Sequence, residues 1–225
     1  MEPYKATDII IGEDDGVVIL ARKHHASHEA EASLINCISN SIGSGSDALQ
    51  VYPSNEFENT LYIASGFGIS LFDLQRLEFD DSYFIGPNGS RIPIAQTTIF
   101  DGFIYAASPT AGLQRANATN ANLIDFRNWE RLDASGWLGI QVLGEKLVGL
   151  KTDRSLQEYN GTGFTTVETL PAVPVDFQTN GIHLSISLPD GILVYDQNGV
   201  RSTTIPLFSE FPGLYTSGLF SDGQI

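Results

Sequence analysis

The sequence of 225 residues contains one cysteine, one methionine and only 12 lysines and arginines. With Cys37 alone there is no intrachain disulfide and no thiolate cluster for a metal, and beside Ile35 and Ile38 it reads as a small buried hydrophobe. Against the few cations stand 27 aspartates and glutamates, for a formal charge of −15. That balance excludes a nucleic-acid binder, because phosphate affinity comes from clustered Lys and Arg. Charged residues make up 17% of the chain, below the roughly 25% of an ordinary globular domain. A helical bundle, which needs Lys, Glu, Leu and Ala at helical spacing, is excluded with it. Apolar runs such as Val17–Ala21 and Ile9–Ile11 are of strand length, far short of the ~20 residues that cross a bilayer. Glu2, Lys5, Asp8 and the acidic run 13–15 also rule out a secretory leader at the N-terminus of this chain.

What the chain does have is glycine, 22 of them, and 10% aromatics, laid out in a repeat. A short apolar strand ends in a small residue, a polar turn follows, and a glycine opens a second strand. The instances are Ile9–Gly12 before Gly16–Leu20, Leu61–Ala64 before Gly68–Phe72, and Ile104–Ala107 before Gly112–Arg115. Leu147–Gly149 before Ser155–Tyr159 and His183–Ser187 before Gly191–Tyr195 complete the series. Successive openers lie 52, 44, 43 and 36 residues apart. Asp101-Gly102, Gly144-Glu145, Asn180-Gly181 and Asp222-Gly223 precede hairpins, and Asp-Gly and Asn-Gly supply the positive φ of two-residue turns. Further strands, such as Trp129–Leu132 and Phe164–Val167, fall between the hairpins.

Three to four strands per ~44 residues is the size of a β-propeller blade. The expected fold is therefore all-β, a propeller of about five antiparallel blades. A β-sandwich also repeats strands, but it does not require the same small residue and glycine in each hairpin. In the propeller reading Gly12, Ala64, Ala107, Gly149 and Ser187 let neighbouring blades approach. Residues 1–225 then form one propeller region, with blades opening near 9, 61, 103, 146 and 182 and a cut unit from 219. The hairpin opening at Ser221–Ile225 leads to the expectation that the chain is an incomplete part of a larger propeller. The Ala- and Glu-rich stretch 26–35 is the best helix candidate and reads as an insertion.

Chemical motifs are sparse. His24, His25 and His28, near Glu29 and Glu31, have helical spacing for zinc but lack the second His of His-Glu-x-x-His, so they read as a solvated segment. Asp14-Asp15 and Asp80-Asp81, with Glu78 close by, are placed at turns or strand ends rather than as a catalytic carboxylate pair. There is no Gly-x-Ser-x-Gly elbow, and residues 41–46 form a Gly/Ser connection. Gly66-Phe-Gly68 and Gly161-Thr-Gly163 lack the third glycine of a dinucleotide site. Asn88, Asn117 and Asn160 head glycosylation-type triplets that are also good turn sequences. The aromatics Tyr62, Phe67, Phe72, Phe79, Tyr83, Phe84, Tyr105, Phe126 and Trp129 read as blade-to-blade packing, and Trp137 as the aromatic to test for a surface role. No catalytic, metal or cofactor-binding residue is assigned.

Residues 61–129 carry a more specific pattern. Leu61-Tyr-Ile-Ala-Ser-Gly-Phe-Gly-Ile-Ser-Leu-Phe-Asp-Leu74 precedes Asp81-Ser-Tyr-Phe-Ile-Gly86, then Ile104-Tyr-Ala-Ala-Ser108 and Asn122-Leu-Ile-Asp-Phe-Arg-Asn-Trp129. This series resembles the N-terminal propeller of PorZ-like proteins, accessory components of the type IX secretion system in Bacteroidetes. There a "GFGI" hairpin precedes a "DTY-IG" strand, a "YAAT-GI" hairpin and an "NL-d-W" segment. On that resemblance Gly66, Phe67, Gly68, Tyr83, Gly86, Tyr105, Ala107 and Trp129 are structural-motif residues, and Asn36-Cys37-Ile38 lies at the family's "IN-I" strand. Ser82 and Ser108 stand where the family has Thr, and Pro109–Ala111 lengthens one turn by a residue. The likeness is good over about 9–150 and generic beyond.

The resemblance implies a large, non-enzymatic protein of the periplasm or cell surface, with two propellers and a small C-terminal sandwich domain. Such proteins serve the attachment of secreted cargo to anionic lipopolysaccharide, with other secretion-system proteins as partners. No family ligand motif falls on these positions. The rival reading is the extracytoplasmic sensor propeller of a two-component regulator, whose blades share the hairpin style.

Overall fold

The computed structural model describes residues 9–12, 18–21, 55–57, 59–76 and 78–206. His24, His25, His28, Cys37, Asp14, Asp15, the 26–35 helix candidate and the turn at Asp222-Gly223 lie outside the described residues.

The fold is all-β and built of blades. Strands β1 (Ile9–Gly12) and β2 (Val18–Ala21) pair as a hairpin. Four sheets follow, each of four strands that neighbour one another in chain order. The first holds β3 (Asn55–Phe57), β4 (Thr60–Ser65), β5 (Gly68–Asp73) and β6 (Glu78–Tyr83). The second holds β7 (Gln96–Phe100), β8 (Phe103–Ser108), β9 (Gly112–Asn117) and β10 (Glu130–Asp133). The third holds β11 (Trp137–Leu143), β12 (Lys146–Lys151), β13 (Ser155–Tyr159) and β14 (Phe164–Thr169). The fourth holds β15 (Asp176–Thr179), β16 (His183–Leu188), β17 (Gly191–Asp196) and β18 (Arg201–Pro206).

Each of the last four hairpins is thus the second and third strand of its sheet, and a first strand precedes it. Those first strands are hard to read: Asn55-Glu-Phe57 and Asp176-Phe-Gln-Thr179 carry one apolar side chain each. The hairpin strands are buried nearly throughout, whereas β14 and β18 are exposed along most of their length. The apolar hairpin needs cover on both faces, and the Thr- and charge-rich fourth strand makes a soluble edge. In every sheet the pairing of third with fourth strand contains a register shift, a bulge that adds local twist.

Turn chemistry follows the residues. Asp101 and Gly102 both have positive φ, 48° and 76°, as a two-residue hairpin turn requires. At Asn180-Gly181 the Asn180 N–H donates to the His183 carbonyl at 3.2 Å, so Gly181, with φ of 88°, and Ile182 form the turn. Asn180 Oδ1 also accepts from the N–H groups of Ile182 and His183, a local closure that adds to it.

The chain divides into two compact units, one of 1–97 with 120–129 and one of 98–119 with 130–225. In the second unit the β11–β14 sheet lies between two cores. Trp137, Ile140 and Leu147 pack with Tyr105, Ala107 and Leu113 of β8 and β9. Leu143, Val148, Leu150 and Leu156 pack with Leu184, Ile186, Leu193 and Tyr195 of β16 and β17. A sheet with a core on each face belongs to a series of stacked blades, whereas a sandwich has a single core between two sheets.

Candidate functional site

In the first unit the motif residues form one end of the β3–β6 sheet. Ser65 pairs with Gly68 across the turn, and the Ser65 hydroxyl donates to the Gly68 carbonyl at 2.9 Å. A Cβ on Gly68 would stand 2.3 Å from the Tyr83 carbonyl oxygen, while one on Gly66 would meet nothing within 4 Å. Gly86 is equally confined, its Cβ position 2.5 Å from the Ser90 carbonyl oxygen. Tyr83 is buried, its ring 6.4 Å from that of Trp129, and burial pushes its phenol well above the usual range. Trp129 is held by a 2.9 Å hydrogen bond from its indole N–H to the Leu123 carbonyl. Gly66, Phe67, Gly68, Tyr83, Gly86 and Trp129 therefore share one unit, where several of them fix the turns.

Four of the nine aromatics assigned to packing, Phe67, Phe79, Phe84 and Phe126, are only partly covered. Phe67 and Phe84 are half-buried, 6.3 Å apart and tilted by 53°. The exposed Arg91 lies over the Phe84 ring at 5.3 Å.

Tyr105 and Ala107 belong to the second unit, fully buried in the core they share with Trp137. The surface role expected for Trp137 is overturned: its side chain is 0% exposed. The reason lies in Gly149, where a Cβ would stand 2.4 Å from the indole, so the ring occupies the space that a side chain there would fill. Phe164 meets the same ring edge-on at 4.8 Å, and the Lys151 ammonium lies 5.2 Å from it.

Charged groups here join neighbouring sheets. Lys151 of β12 binds Asp133 of β10 at 2.6 Å, both largely buried. Glu168 of β14 accepts from the Tyr195 hydroxyl of β17 at 3.0 Å and pairs with Arg201 of β18. Lys146 spans from Glu158 to the Asn198 carbonyl, 3.0 Å to each. Burial raises the Tyr195 phenol to about 12. For Asp133 burial also acts upward, but hydrogen bonds from Lys151 and from the Ser135 N–H and hydroxyl outweigh it and bring the carboxyl to about 2. Its folded pKa is depressed, so its contribution is present above about pH 4 and is lost as pH falls toward 2. Asp133→Asn is expected to cost roughly 2 kcal/mol at pH 7 and to flatten the acid limb of stability between pH 4 and 2. Urea titrations across that range check it.

The Asp80-Asp81 pair lies within β6, not at a turn or strand end as the sequence led one to expect, while Glu78 opens the strand. Asp80 and Asp81 are exposed at the middle of the strand, and Arg76 gathers Asp73, Glu78 and Asp80 at 2.7, 2.9 and 3.6 Å. The fan fixes the chain reversal: Asp73 also accepts from the N–H groups of Gln75 and Arg76. Asn117 and Asn160 close their turns by accepting from the N–H groups of Thr119 and Thr162, and Asn88 sits in a turn with φ of 57°. Among the described residues no group of three His, Cys, Asp or Glu is placed to hold a metal ion, and no helix is long and apolar enough to cross a membrane. Arg91 and the bridges of Asp133 and Glu168 carry no signal in the sequence, because each depends on which turns and sheets become neighbours.

Residues 47–130 match the family model described as the type IX secretion system PorZ N-terminal beta-propeller domain. Among solved structures, PorZ of Porphyromonas gingivalis, described as an essential bacterial surface component of the type-IX secretion system, aligns with a TM-score of 0.59 and 18% identity. That alignment covers 85% of this chain and 24% of the PorZ chain, so the chain spans about a quarter of that protein's length. A chain of the mitotic checkpoint complex aligns with a TM-score of 0.50 and 12% identity, over 73% of this chain and 55% of that one. At such identities the structural likeness speaks for the fold alone. No curated protein matches the chain. Over residues 47–130 the chain is PorZ-like; that span includes the 61–129 series and leaves 9–46 and 131–150, where the likeness was also expected, outside the match.

Proposed function

We propose that the chain is a non-catalytic propeller region of a type IX secretion accessory protein, acting in the attachment of secreted cargo to anionic lipopolysaccharide. The observation that carries this reading is the match of residues 47–130 to the PorZ N-terminal propeller. The stacked four-stranded sheets support it, as does the use made of the ionisable groups. Among the described residues the strongly shifted ones are phenols raised by burial, the Arg115 guanidinium raised against burial by its bonds to Tyr105 and Glu130, and a carboxylate tied to Lys151, a pattern of structural bonds rather than of acid–base pairs poised near neutrality. Residues 1–225 are taken as one propeller region with blades opening near 9, 61, 103, 146 and 182 and a further unit from 219, in the periplasm or at the cell surface. Partners are other secretion-system proteins. A net charge of −15 opposes non-specific adhesion to an anionic polymer, so contact with lipopolysaccharide runs through a local site or another part of the assembly.

In the organism that makes the protein, removing codons 55–206 from the full-length gene is expected to move cargo from the cell surface into the medium. Unchanged surface attachment would overturn the proposal.

A further inference from the structure

We propose that Phe67, Phe84 and Arg91 form a recognition site for an acidic peptide segment in which a large apolar side chain neighbours a carboxylate. Three observations carry it.

The first is exposure. Most of the large side chains of β4 and β5 are buried, yet Phe67, in the turn between them, and Phe84, just after β6, keep part of their rings in solvent at the same end of the sheet. Their centroids lie 6.3 Å apart at 53°, a tilted pair whose outer faces form an apolar wedge at the surface.

The second is charge. Arg76 of this unit is held by Asp73, Glu78 and Asp80, and Arg127 by Asp125. Arg91 makes no ion pair with any described residue; its guanidinium lies 5.3 Å from the Phe84 ring centre, its edge donors free to meet a carboxylate.

The third is preorganisation. The Phe67 N–H donates to the Ser65 hydroxyl, and the Ile94 N–H donates to the Ser65 carbonyl at 2.9 Å, so the turn and the 84–94 segment are tied together. Gly86 and Ser90 are joined by a 3.0 Å backbone hydrogen bond, and Gly89 and Ser90 donate to Gly86 and Pro87. Phe84 packs on Gly68, where a Cβ would stand 3.5 Å from its ring. The rings and guanidinium are thus presented by a fixed frame, which lowers the ordering cost of binding.

The surroundings favour a peptide over a sugar. Next to these rings and Arg91 in the chain come Gly66, Pro87 and Pro93, with Asn88 and Ser90 as exposed polar residues of the same segment. A saccharide would call for more hydrogen-bonding groups directed at its hydroxyls, whereas an apolar side chain fits the wedge and its neighbouring carboxylate the fork of Arg91. The inference stands apart from the secretion reading and survives its failure, since it draws only on this unit's geometry.

The test is isothermal titration of the 225-residue chain with the capped peptide Gly-Ser-Phe-Asp-Ser-Gly, its Asn analogue, and trigalacturonate. The acidic peptide is expected to bind about tenfold more tightly than the Asn analogue, as a charge-assisted bond exceeds a neutral one. Arg91→Gln should erase that preference, Arg91→Lys should keep part of it, and Phe67→Ser should weaken both peptides. Equal affinity for the two peptides, a preference that survives Arg91→Gln, or tighter binding of trigalacturonate would each overturn the proposal. All three substitutions fall on exposed or half-exposed side chains, and circular dichroism confirms that the variants remain folded.

Discussion

Trp137→Ala is expected to lower the unfolding free energy by about 4 kcal/mol, the cost of emptying a fully buried indole site. The ring is the largest fully buried side chain of the second unit and joins β11 to Tyr105, Ala107 and Leu113 of the preceding sheet. Its loss leaves Gly149 facing a void that no neighbouring side chain can fill, since the glycine itself has none. Trp137→Phe should retain more than half of that stability, because most of the apolar contact survives. Urea midpoints measured on the wild type and both variants read the effect. A loss below about 1 kcal/mol for the alanine variant would return Trp137 to the surface role that its sequence neighbours Gly136 and Gly139 invited.

A second large effect is expected from a single methyl group at Gly112. It stands at φ of 90°, and its Cβ position lies 2.0 Å from the Asp133 carbonyl oxygen of the adjacent fourth strand. Gly112→Ala should cost about 3 kcal/mol, from the unfavourable backbone region together with the displaced strand. Gly68→Ala should behave alike, given its 2.3 Å approach to the Tyr83 carbonyl oxygen. Gly66→Ala, two residues away in open space, should stay within about 0.5 kcal/mol of wild type. Thermal unfolding of the three variants side by side tests the contrast. Equal losses at Gly66 and Gly68 would mean that the glycines serve turn flexibility in general rather than close packing of third strand on fourth.

The contrast also explains why so much of the fold could be read from the residues. The glycine that opens the second strand of each hairpin marks a backbone contact, so it recurs wherever that contact recurs: Gly68, Gly112 and Gly191 all approach a carbonyl oxygen of the fourth strand. Ser155 opens the same strand of the β11–β14 sheet and shows the limit of the rule. Apolar hairpins buried on both faces announce themselves as runs such as Leu61-Tyr-Ile-Ala64. First strands such as Asn55–Phe57 do not, because so short a polar segment is held by pairing with its neighbour, not by its own burial.

The site was less legible. Phe67 and Phe84 have the same strand-like surroundings in sequence as the buried Phe72, and only the folding of the 84–94 segment decides which rings are covered. Trp137 was misread for a related reason: flanking glycines resemble an exposed loop until β12 brings Gly149 beneath the ring. The pairing of Lys151 with Asp133 joins residues far apart in the chain, and no local spacing encodes it.

The central claim is that these blades, as folded units, serve surface attachment of cargo. Its most direct measurement places Gly66→Ala and Gly112→Ala separately in the full-length protein, in the organism that makes it, and quantifies cargo on the cell surface and in the medium. The account predicts wild-type attachment with Gly66→Ala and release of cargo into the medium with Gly112→Ala. Wild-type attachment with both variants, alongside confirmed destabilisation of the Gly112→Ala blades, would contradict it.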